Sequence, residues 1–336
     1  MNYLLLFLAT LTSSGKAIIC KRIGAGDNGP KRTFLLNSGI FLVASLPVLV
    51  IAILDGGFIA SGFSVALAAL FALTTVITQL TQIGAMKYGT AALTTLIYSA
   101  GFIIPTVWSH FAFGEIISPL QLVGIGVMLI ALYMIINPGR SGRVSFLWLI
   151  FAILSMSGSG ANAVLQKIHQ RSALSGELYE FLFAALAFAS VLCLVLGLTL
   201  KGDAGSKKEL TDDISIKSKA ENMQRHADDI SIKSKVENMQ WHAADISANG
   251  KVKKRGFTPR DLGFILFSGA CIGALNVLNL TLAGKLPAVI HFPIYNLGSM
   301  ILTGAAGALI YGERINKIQL IGFAIGCAAI LIIGLF

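Results

Sequence analysis

Charge is scarce in this sequence. Of 336 residues only 12% are charged and 55% are hydrophobic, with a mean hydropathy of +0.77. That is too few charged groups to clothe a soluble domain of this size. The four cysteines, Cys20, Cys193, Cys271 and Cys327, have no CxxC spacing, so neither a disulfide framework nor a metal site is indicated. HExxH and G-x-S-x-G are both missing, and with them the residue patterns of zinc and serine hydrolases. The chain therefore reads as a non-enzyme that calls for no cofactor. Its net charge of +10 lies mostly between apolar runs and comes without a basic groove interleaved with aromatics, so nucleic acid is not an expected partner.

What the sequence has in quantity is hydrocarbon. Ten apolar runs stand at roughly 2–20, 33–54, 63–86, 89–112, 119–137, 144–166, 176–200, 260–283, 287–311 and 317–335. A helix rising ~1.5 Å per residue crosses a ~30 Å hydrocarbon core in about 20 residues. The runs are continuous rather than alternating, which predicts helices and not barrel strands. The first run has no basic residue ahead of it and reads as a retained helix rather than a cleaved signal peptide. The expected fold class is an all-α integral membrane protein of ten transmembrane helices, embedded in the lipid bilayer.

The runs repeat. "FGEIISPLQLVG" from Phe113 and "YGERINKIQLIG" from Tyr311 share six of twelve residues at a shift of 198. Upstream, "KYGTAALTTLIYSAG" parallels "KLPAVIHFPIYNLG", and the first and sixth runs both place Ser and Gly in mid-helix and end on Lys21 and Lys167. Two five-helix units follow, at 1–142 and 143–336. An odd number of spans turns the second upside down, an inverted repeat of the kind that carriers use for alternating access. The second unit is interrupted by a polar loop at 201–259, where "DDISIKSKAENMQRHA" and "DDISIKSKVENMQWHA" match at 14 of 16 positions. Its composition predicts a solvated segment, and its His226 and His242 have no second ligand type nearby.

In the first corner Ser118, Pro119 and Gln121 spell a capping box with proline at the first helical position, and Asn316 and Gln319 occupy the same places in the second. Gly114, Glu115, Gly312 and Glu313 then form the structural corners, each glutamate expected to face the positive end of the helix that follows. A proton-carrying carboxylate would be expected deeper in a span. These paired "GE…QL.G" corners, in a ten-run chain of two units, resemble the EamA branch of the drug/metabolite transporter superfamily. The resemblance covers the chain outside 201–259. It implies an inner-membrane carrier of small metabolites, often outward, with a cavity lined by helices 1, 3, 4, 6, 8 and 9.

Polar residues inside spans are costly and often functional. Gln79 and Gln82 in the third run, and Asn276 and Asn279 in the eighth, are each three apart and so share a helix face. They suit either a substrate cavity or hydrogen bonding between helices. Asn162 in the sixth run, Tyr98 in the fourth, and His291 and Tyr295 in the ninth complete the polar candidates. Pro105 and Pro293 interrupt the fourth and ninth, and such breaks often line cavities. Lys16 lies ~7.5 Å along the helix before Lys21; it either faces the cavity, where it would attract an anionic group, or snorkels to the interface. The first run holds no Asp or Glu, unlike the small four-helix multidrug members of the superfamily, and this argues against a cationic-drug pump.

The functional expectation is a secondary carrier, exporting a small polar or amphipathic metabolite that is anionic or amino-acid-like. The rivals are a lipid or lipid-precursor flippase and a membrane scaffold or sensor. The GxxxG pairs Gly269–Gly273 and Gly322–Gly326 serve contacts within one chain or a homodimer equally well. Basic residues favour the loops after odd-numbered runs, which by the positive-inside rule puts both termini outside; the family resemblance puts them inside.

Overall fold

The computed structural model describes residues 2–25, 29–54, 60–114, 116–136, 145–200, 259–283, 288–313 and 315–335, with the side chains of 2–3, 260, 279–281, 283, 288–294 and 334–335, Asn279 and His291 among them, outside the description. Glu115, the boundary near 142 and the loop from 201 to 258 likewise lie outside it. The helices are α1 (Asn2–Ala25), α2 (Pro30–Leu54), α3 (Gly62–Tyr88), α4 (Ala91–Ser99), α5 (Ile103–Phe113), α6 (Pro119–Ile136), α7 (Phe146–Arg171), α8 (Leu178–Thr199), α9 (Pro259–Ala283), α10 (Ala288–Tyr311) and α11 (Lys317–Leu335). Among the described residues, eight segments are long and apolar enough to cross a membrane, and Lys317–Ile333 is a shorter apolar helix. The chain is an all-α, multi-pass membrane protein.

The fourth apolar run is not one smooth helix. α4 passes through a 3-10 turn at Ala100–Phe102 into α5. Pro105 has no amide for the carbonyl four residues back, and its ring crowds that carbonyl, so the ladder tightens just before it. The corners turn at their glycines. Gly114 and Gly312 take the left-handed conformation, with φ of 65° and 61°, which only glycine adopts without penalty. The amide of Glu313 then reaches back to the carbonyl of Gly307 at 3.1 Å. Ser118 and Gln121 form a reciprocal capping box, with the amide of Ser118 donating to Gln121 Oε1 (3.0 Å) and the amide of Gln121 to Ser118 Oγ (3.1 Å).

Among the described residues two large apolar cores hold the helices, and a small third cluster of Leu6, Ala9 and Leu282, with Tyr295 packed against it, joins α1 to α9 and α10. The first joins α1, α2, α3, α8 and α9 around Phe41, Ile40, Met86 and Phe181. The second joins α4, α6, α7, α10 and α11 around Leu96, Met128, Trp148, Met300 and Ile330, with Ala85 of α3 at its edge. Neither core coincides with one of the units expected from the sequence, since each draws helices from both halves of the chain. The GxxxG glycines work inside the chain: Gly269 and Gly273 bring α9 against Val43 and Ala44 of α2, Gly322 brings α11 against Ala131 of α6, and Gly326 lies on Leu96. Lipid provides no hydrophobic driving force between helices, so close packing of this kind, together with hydrogen bonds between helices, is what binds them.

Candidate functional site

The seam between the two cores carries the polar groups. Lys16 sits in mid-α1, about nine residues or ~13.5 Å before the helix ends. Its ammonium lies 5.6 Å from the centroid of the Tyr98 ring on α4. Tyr295 of α10 packs against the cluster of Leu6, Ala9 and Leu282, nearer the start of α1. The lysine therefore turns inward rather than snorkelling, and it keeps partial exposure. Among the described residues no carboxylate pairs with it. A cation at the centre of a spanning helix costs about 2.5–3.5 kcal/mol on insertion scales. A cation–π contact returns ~0.5–2 kcal/mol, which leaves a site that an anion would complete.

Around that point the other candidates divide. Gln79 and Gln82 are buried, each 2% exposed. Gln79 Nε2 donates to Cys20 Sγ at 3.4 Å and the Cys20 thiol approaches Gln82 Oε1 at 3.8 Å. Both amides thus line the α1–α3 contact one turn from Lys16. Asn162 on α7 accepts from Thr74 Oγ1 of α3, and Asn276 donates to the carbonyl of Ile272 one turn back in its own helix (2.8 Å). Of the candidates, then, the structure brings Tyr98 to Lys16, and Gln79 and Gln82 to Cys20 one turn along α1, while Tyr295 stands nearer the start of that helix. At the shift of 146 that aligns Lys21 with Lys167, Asn162 is the counterpart of Lys16. One half of the chain has an amide where the other has a cation. Farther along the same seam Ser13 Oγ and Ser299 Oγ are 2.8 Å apart, joining α1 to α10.

The second corner behaves differently from its sequence reading. The carboxylate of Glu313 is turned away from the helix that follows and towards α4, where Oε2 accepts from the amide of Ala91 at 2.8 Å. Its Oε1 is 2.7 Å from Lys21 Nζ, with side-chain exposures of 13% for the lysine and 9% for the glutamate. Lys21 also donates to the carbonyls of Met86 and Gly89, both at 2.8 Å. The physical motive is the expected one, a carboxylate at a positive helix end and a cation at a negative one. The helices are simply other helices, brought in by the tertiary fold. Lys21 and Glu313 are 292 positions apart, and nothing in the local sequence of either announces the other.

One further cluster has the look of chemistry. Ser64 Oγ and His169 Nε2 are 3.0 Å apart, and both residues are fully buried. A hydrolytic triad needs an acid on the opposite ring nitrogen. Glu177 instead accepts from the amide of Ser61 at 2.8 Å, while His169 Nδ1 has no partner among the described residues. The cluster closes the start of α3 against α7 and the turn before α8. A matching tie, Arg32 to Asp261 at 2.7 Å, joins the start of α2 to the start of α9. No group of three or more metal-binding side chains occurs among the described residues.

Comparison with known proteins supplies a lineage. Residues 1–137 match the EamA-like transporter family. The chain also superposes on a protein of known crystal structure with a TM-score of 0.60 at 11% identity, covering 98% of this chain and 95% of that one, a likeness of fold. No curated protein matches the chain.

Proposed function

We propose that this protein, which its match over residues 1–137 places in the drug/metabolite transporter superfamily, is a secondary carrier of the inner cell membrane that exports small metabolites bearing an anionic group. The substrate is polar or amphipathic, in the range from simple organic anions to amino-acid-like compounds. One observation carries the reading: Lys16, a mid-span cation held on the seam between two apolar cores against Tyr98. An acidic group would take the ammonium, and Tyr98, Tyr295, Gln79 and Gln82 supply donors and acceptors that orient the rest without a second formal charge. Asn162, Asn276, Asn279 and His291 are held as further residues of the same path.

The transport cycle in this reading is alternating access of ten spans arranged as two inverted units, 1–142 and 143–336 with the insertion at 201–259. Two features support it. The family match ends at 137, close to the first unit's limit. The ties Ser61–Glu177 and Arg32–Asp261 join the start of the third and eighth apolar runs to the corner of the opposite half. The test is a comparison of metabolites inside and outside cells with and without the protein. Soluble anionic metabolites should move to the medium, and Lys16→Gln should abolish the shift. Movement of lipid-linked compounds alone, or no movement at all, would contradict the reading.

A further inference from the structure

Some close approaches between helices recur at the shifts of 146 and 197 that align Lys21 with Lys167 and Tyr98 with Tyr295. A Cβ at Gly298 of α10 would meet Thr10 of α1 at 2.6 Å, and one at Gly101 would meet the carbonyl of Met156 on α7, also at 2.6 Å. Gly298 is Gly101 shifted by 197, and Met156 is Thr10 shifted by 146. So α7 lies on the fourth apolar run as α1 lies on the ninth.

The next contact along the same helices does not recur. Towards the Lys21 end α1 packs on α3: Gln79 donates to Cys20 at 3.4 Å, and a Cβ at Gly24 would meet the carbonyl of Ile83 at 2.7 Å. At the same two shifts Cys20 becomes Gln166 of α7, and Gln79 becomes Asn276 of α9. Among the described residues α7 packs on α3, α4 and α5 and forms no packed face with α1 or α9. Asn276 bonds the carbonyl of Ile272 in its own helix, and both amide residues are half-buried. The ties that join α1 and α10 to α3 and α4, at Lys16–Tyr98, Cys20–Gln79 and Glu313–Ala91, run from mid-span to the Lys21 end.

We propose that the space around Lys16 is entered from the face at which α1 begins and α7 ends, through the gap between α7 and α9, and that Gln166 and Asn276 are the pair that closes this way. The proposal rests on the carrier reading for its purpose and on the unequal halves for its geometry. Of two matched contacts one is made and the other is not, as two inverted units give when they hold opposite poses. The unmade contact has also kept polar partners, where packing against lipid or a neighbouring helix asks only for hydrocarbon. A carboxamide both donates and accepts, so Gln166 and Asn276 can face water while the gap is open and bond each other when it shuts.

The experiment uses the full chain in membrane vesicles of both orientations, with the four native cysteines replaced by Ser. In the first variant Lys16→Cys is the reporter. An impermeant maleimide should label it at least tenfold faster from the face where α1 begins than from the Lys21 face. Equal rates, or faster labelling from the Lys21 face, overturn the route. If that variant fails to insert, Tyr98→Cys on the facing side takes its place. The second variant carries Gln166→Cys with Asn276→Cys and a protease site in the 201–259 insertion, so that after cleavage only a cross-link holds the halves together on a denaturing gel. A disulfide needs Cα atoms within about 7 Å, so oxidation captures the closed gap. Cross-linking should be at least tenfold faster than for Gln166→Cys with Leu278→Cys, whose second position is turned to the Leu6, Ala9 and Leu282 cluster. A rate no faster than that control overturns the pair. No substrate enters either assay, so the transport reading can fail while the route stands, and the reverse.

Discussion

At the residue scale, the account turns on single charges placed where hydrocarbon would be cheaper. Lys16→Met removes a cation that costs about 2.5–3.5 kcal/mol at mid-span, so the variant should melt at a higher temperature in detergent while losing transport. A fall in both would mean that the lysine is a structural strut. Gly312→Ala forces a Cβ into the left-handed region at φ 61°, a cost of roughly 1–2 kcal/mol; its melting temperature should drop, and Gly126→Ala, with open space at its Cβ, should leave it unchanged. The inward turn of Lys16 was half legible, because spacing from Lys21 put it inside the span but could not choose between cavity and snorkel. Its contact with Tyr98 required the fold. The partner of Glu313 was not legible at all, since electrostatic complementarity fixes the kind of partner and only tertiary packing fixes which one.

At the element scale, local chemistry was easy to read. The capping box at Ser118 and Gln121 forms as spelled, because it is decided within a handful of neighbouring residues. Ser118→Ala should destabilise by about 1 kcal/mol, read as a lower melting temperature, and Ser118→Asp should recover most of the loss because aspartate caps as well. The break before Pro105 follows from the missing amide. Amide pairs were harder to assign. Gln79, Gln82 and Asn276 have the same spacing logic, yet the glutamines meet Cys20 on a neighbouring helix and Asn276 bonds its own. Periodicity gives the face of a helix but not what stands opposite.

For the whole molecule, hydropathy was enough to establish the all-α membrane fold, because lipid leaves a polar backbone no other solution. How the helices sort into two cores was not written in the repeat, since interleaved packing mixes helices from both halves. Every seam group named above lies in the apolar runs, outside the insertion. Deleting 205–255 should therefore leave transport intact, and loss of activity in a correctly inserted deletion would favour a scaffold or sensor. A reporter fused to the C-terminus decides the orientation, which the charge rule and the family resemblance assign oppositely. The most direct test of the central claim is flux in reconstituted vesicles loaded with the anionic metabolites that the cell comparison identifies. The wild-type protein should release them, Lys16→Arg should retain part of the rate, and Lys16→Gln should reduce it at least tenfold. Equal rates in the wild type and Lys16→Gln would contradict the account.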